Sequence, residues 1–135
     1  MSDYKYARNQ PLLGGAYGDI LNNGTVQYFP VSGLGAPHVN LPVVLEVAPC
    51  AGIIYGMASR LNAVPAGAAS RTFTLYLNAA PTALTVTHGA LDQYQYNDAD
   101  VVAFARGDTL VWHSDGGVGV PNATSVKISC LIRRI

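Results

Sequence analysis

The chain has 135 residues with eight basic and eight acidic side chains, a formal net charge of zero, and only 12% charged residues against 50% hydrophobic ones. That length suits one ordinary domain. The charge balance excludes the positive face a nucleic-acid binder uses to displace counterions, since no basic run exceeds Arg133 and Arg134. The apolar runs fall far short of the roughly 20 residues that cross a bilayer, so no membrane partner is expected.

A body this poor in charge is expected to hide surface against its own siblings, because charged residues are depleted where subunits meet. The first segment, "MSDYKYARNQ", lacks the charged-then-apolar layout of a secretion signal, which predicts synthesis and retention in a cytoplasm until assembly. From Met1 to about Val39, Gly, Pro and Asn break up very short apolar runs. Asn22, Asn23 and Gly24 form a turn signal between "YGDIL" and "TVQYF" and predict a small hairpin. Tyr4, Tyr6, Tyr17, Tyr28 and Phe29, with Arg8 among them, give the segment more aromatic weight than a free tail would carry. Residues 1–40 therefore read as an N-terminal arm with loops, an attachment or inter-subunit segment whose contact residues are Tyr4, Tyr6 and Arg8, and residues 41–135 read as a β-sandwich.

From Leu41 onward, strand-like runs recur, separated by Pro, Gly, Asn and Asp, which argues for a sandwich or barrel rather than alternating strands and helices. "RTFTLYLNAAPTALTVTHGA" is a hairpin in which Phe73, Leu75 and Leu77, then Leu84, Val86 and His88, take one face. In "VVAFARGDTLVW", Val102 and Phe104 lead into a tight Gly107-Asp108 turn, after which Leu110 and Trp112 resume the inward alternation. The final run places Val126, Ile128, Cys130 and Ile132 on one face and Lys127, Ser129, Leu131 and Arg133 on the other. "LNAVPAGAAS" reads as a loop because Pro65 and Gly67 interrupt it. Cys50 and Cys130 sit in apolar runs and read as buried free thiols.

Chemistry-bearing residues are few. His38, His88 and His113 stand near no local nucleophile signature, so no enzyme and no catalytic residue is expected. Asp92, Asp98 and Asp100 with Asn97 offer oxygen ligands but lack the ordered spacing of a calcium loop, and no metal or cofactor is expected. The glycine runs at Gly33–Gly35 and Gly116–Gly119 lack the helix and Lys of a phosphate cradle and read as turns. Tyr94 and Tyr96, two apart, share a face if extended and offer a platform for sugar rings, although tyrosine is equally at home in strands and interfaces. With His113 beside Trp112, they form the expected ligand surface.

The succession of "TFTLYLN", a "TALTVT" return, a polar Asp-bearing segment, "VVAFARGDTL" and a last strand after "GVPNATSVKIS" resembles the small jelly-roll modules of tailed-phage and other virion surfaces. "NNGTVQYFPVSG" is similar to the way such modules begin, so the resemblance covers roughly Asn22 to Ile135. It implies an antiparallel jelly-roll sandwich of about eight strands. It further implies a homotrimer that acts as a capsid decoration or cement protein on the major capsid protein or another virion protein. The alternative it carries is the receptor-binding head of a fibre or spike that recognises host-surface glycan. No shaft or coiled coil precedes the module, which favours decoration at the virion surface, with the chain made in the host cytoplasm.

Overall fold

The computed structural model describes residues 10–16, 24–62, 70–89, 91–116 and 125–135. Strands β1 (Gln10–Ala16), β2 (Gln27–Phe29), β3 (Gly33–Gly35), β4 (Glu46–Val47), β5 (Gly52–Leu61), β6 (Arg71–Leu77), β7 (Ala80–His88), β8 (Tyr94–Phe104), β9 (Thr109–Ser114) and β10 (Val126–Arg134) follow one another, with a 3-10 turn at Leu41–Val43. Among the described residues there is no α-helix. One sheet, here sheet A, has the order β3-β1-β10-β5-β8; the other, sheet B, has the order β2-β9-β6-β7, with β4 also pairing β9. Every pairing is antiparallel except the short parallel one between β1 and β3.

The alternating runs form as their period dictates. Phe73 and Leu75 of β6, with Leu84 and Val86 of β7, are buried, while Thr72 pairs with Thr87 and Thr74 with Thr85 through hydroxyl hydrogen bonds of 2.8 Å on the opposite face. Asn78 and Ala79 close this hairpin with φ of 51° and 63°. Two positive values in sequence match the right-handed twist of the flanking strands. A single core cluster draws Ile54, Met57, Val102 and Ile128 from sheet A and Phe29, Phe73, Leu75 and Trp112 from sheet B. In β5 the alternation breaks at Gly56, whose φ of 63° suits a residue without Cβ. The register slips there, so Ile54 and Met57 both face the core although they are three apart.

The chain before Leu41 departs from the arm-and-loop expectation. Gln10–Ala16 pairs along β10 from Ile132 to Val126, and Gly33–Gly35 lies beside it. A run containing Pro11, Gly14 and Gly15 shows no alternation, and its partner lies at the far end of the sequence. The arm residues Tyr4, Tyr6 and Arg8, the "YGDI" part of the predicted hairpin and residues 63–69 of the predicted loop lie outside the described residues.

The backbone of β1 runs close over the Pro30–Val31 segment. A Cβ on Gly14 would overlap the Val31 carbonyl oxygen and lie 2.8 Å from the Pro30 oxygen, both backbone atoms that cannot rotate away. Gly14→Ala is expected to cost about 2 kcal/mol, by analogy with overpacked cores. A urea midpoint equal to that of the parent would show that the two segments separate freely.

Candidate functional site

The register of sheet A aligns side chains in rows across four strands. Leu13, Ser129, Ala58 and Tyr96 form one row over β1, β10, β5 and β8, and Gly15, Lys127, Arg60 and Tyr94 form the next. By strand alternation these side chains stand on the face away from the core. Small Ala58 and Ser129 lie between the larger Leu13 and Tyr96, which leaves an open trough of about 390 Å³. Tyr94 and Tyr96 are 51% and 66% exposed. The Arg60 guanidinium lies 5.5 Å from the Tyr94 ring centroid, a cation–π arrangement that restrains it at the trough's end. Farther along the face, the row Pro11, Leu131, Tyr55 and Val101 carries no charge.

Sheet B presents a different outer surface. The His113 ring stacks on Tyr76 at 4.5 Å and 9° and meets Tyr28 edge-on at 5.4 Å. Burial holds the His113 pKa below its ordinary value, opposed by Asp115, and burial, followed by the neighbouring Tyr28, raises that of Tyr76. Near neutral pH both shifts keep His113 and Tyr76 uncharged.

A third group lies inside, where β6 and β7 end. Arg71 and His88 are cross-strand partners and both are fully buried. Because the Asp92 carbonyl can only accept, the His88 Nδ1–H donates to it at 2.9 Å, and Nε2 therefore accepts from the Ser59 hydroxyl at 2.6 Å. Arg71 Nη1 donates to Ser114 Oγ at 3.3 Å. Desolvation lowers the Arg71 pKa and Asp115 opposes that shift. A serine on a histidine has the chemistry of a nucleophile and its base, but the third partner here is a backbone carbonyl, and both side chains are buried among the described residues. The arrangement satisfies the buried Ser59 hydroxyl and both His88 ring nitrogens, which would otherwise cost stability.

The structure thus brings Tyr94 and Tyr96 together and sets His113 on the other sheet, with Tyr28 and Tyr76. Arg60, Lys127 and the trough floor were not legible as site residues. Their only signal was outward parity in β5 and β10, and the pairing of those strands joins distant parts of the sequence. Two of the three aspartates are tied to amides: Asn97 Nδ2 donates to Asp100 Oδ2 at 2.9 Å and Gln95 Nε2 to Asp92 Oδ2 at 3.1 Å. Among the described residues no three His, Cys, Asp or Glu converge. Both cysteines are free; Cys130 is buried, with its thiol pushed up to about 12 by desolvation, whereas Cys50 is only half-buried. A scan of the sequence against protein-family models finds no match, and neither does a search of curated proteins.

Proposed function

We propose that the chain is a structural protein of a virion surface, a jelly-roll that self-associates, as a homotrimer, and decorates the outer face of a viral shell. The connectivity supports the jelly-roll part of the reading. From β5 onward, only β6 and β7 follow one another within one sheet; the other steps pass between the sheets, and β1 and β10 lie side by side.

The observation that carries self-association is the uncharged row on sheet A. Val101 and Leu131 are 58% and 37% exposed, with Tyr55 between them, and the next row holds Ile53 and Ala103 beside Arg133 at its edge. Apolar side chains contiguous on one face and free of acids mark a surface that meets another protein. Once assembled on a lattice, a subunit that binds only the intact shell stabilises it by mass action as occupancy rises. Major capsid protein is the proposed partner, and the reading assigns the chain no reaction.

Sedimentation tests the seam. The parent is expected to run as a stable oligomer at micromolar concentration, and Val101→Glu with Leu131→Glu is expected to run as a folded monomer with an unchanged far-ultraviolet spectrum. Both sites are surface positions, where substitutions rarely alter stability by more than about 0.5 kcal/mol. A monomeric parent, or an oligomer that survives both carboxylates, contradicts the proposal.

A further inference from the structure

The trough on sheet A has two like charges on neighbouring strands at one end. Lys127 and Arg60 are register partners on adjacent strands, and like charges placed directly opposite repel. Among the described residues, no acidic side chain lines the trough to offset them. The chain has only eight basic residues. Two of them face each other at one end of an otherwise apolar trough, and one is further held by the Tyr94 ring.

We infer that this trough binds a carboxylate-bearing saccharide, with the acid group between Arg60 and Lys127 and a sugar ring on Tyr96. An anion seated between the two cations converts their repulsion into two charge-assisted hydrogen bonds. Because Arg60 already lies against Tyr94, the more exposed Tyr96 ring is the one left to stack on the C–H face of a pyranose. Leu13 stands across the floor of Ala58 and Ser129 and closes the opposite wall. The volume lies within the few hundred cubic ångströms typical of small-ligand sites.

A peptide fits this surface less well. The trough crosses the face of the sheet, where the strands on its floor are paired with one another, so an extended chain would gain few backbone hydrogen bonds. A bare inorganic anion would leave Tyr96 and Leu13 unused. The inference does not depend on the virion reading, since it rests on other residues of the same face.

Titration of the native protein, followed by calorimetry or amide chemical shifts, tests it with five probes: trigalacturonate, 3′-sialyllactose, neutral maltotriose, inorganic phosphate and tetraglutamate. At least one of the two acidic saccharides is expected to bind at millimolar concentration, and the other three at least about tenfold more weakly, the loss expected for one charge-assisted contact. Tyr96→Ala and Lys127→Gln are each expected to weaken binding by about the same factor. Lys127→Gln is also expected to melt no lower than the parent, because it removes the repulsion without touching the Arg60–Tyr94 contact. Equal binding of maltotriose, phosphate or tetraglutamate overturns the inference, as does the absence of binding by both acidic saccharides. Unchanged affinity in either variant does so too.

Discussion

Trp112→Ala is expected to cost about 3–5 kcal/mol, a large share of the roughly 5–15 kcal/mol that holds a domain together. Trp112 lies at the centre of β9, in register with Phe29 on one side and Leu75 on the other, and all three are buried. Alanine there removes the largest side chain of the core and leaves a cavity that two paired strands cannot collapse into. Its indole N–H is buried with no hydrogen-bond partner among the described residues, which makes the ring's contribution one of packing. Trp112→Phe, which keeps most of the volume and removes the orphan donor, is therefore expected to retain most of the stability. Urea denaturation measures both, with Tyr96→Ala as an exposed control expected to shift stability by no more than about 0.5 kcal/mol. A loss below about 1 kcal/mol for Trp112→Ala would place the main packing elsewhere.

Stability is expected to fall as pH is lowered from 7 to 5. Burial holds the folded-state pKa of both His88 and His113 below the ordinary 6.5. Between that depressed value and 6.5 the unfolded chain binds more protons than the folded one, so stability rises with pH. The contribution is complete above 6.5 and is lost as pH falls through the folded value. His88 dominates because it is fully buried and, once charged, would stand opposite the buried Arg71; the nearby Asp92 offsets this only in part. Each histidine adds at most about 1.4 kcal/mol per pH unit to the slope. Thermal melts of the parent and His88→Gln across this range are the measurement. A parent whose melting temperature is flat between pH 7 and 5, or a variant as acid-sensitive as the parent, would show that His88 accepts its proton without cost.

The sequence was most readable where the period of two was unbroken. The Arg71–His88 hairpin and the two faces of β10 follow from alternation, the Gly107-Asp108 turn follows from its turn residues, and the structure has all three. The Asp108 carboxylate accepts from the Ala105 N–H at 2.7 Å and so caps the turn. Alternation also placed His88 on the same face as Leu84 and Val86. What it could not supply was the burial, which needs Ser59 from another strand and the Asp92 carbonyl beyond the turn to satisfy the ring. The site was half legible for the same reason. Tyr94 and Tyr96 share a face by spacing, whereas the neighbours that give them a trough arrive through strand pairing. His113 was assigned a neighbour in sequence, Trp112, whose side chain lies on the opposite face of the same strand; its ring partners are Tyr28 and Tyr76.

The pairing of β1 with β10 also bears on how the molecule is born. As the polypeptide emerges from a ribosome, Gln10–Ala16 must wait for Val126–Arg134 before its backbone groups find their antiparallel partners. During that interval β5 also lacks its neighbour on one side, so β1 and β5 both have open ladders in a crowded cell. The glycines and proline of β1 weaken its tendency to recruit a foreign strand in the meantime.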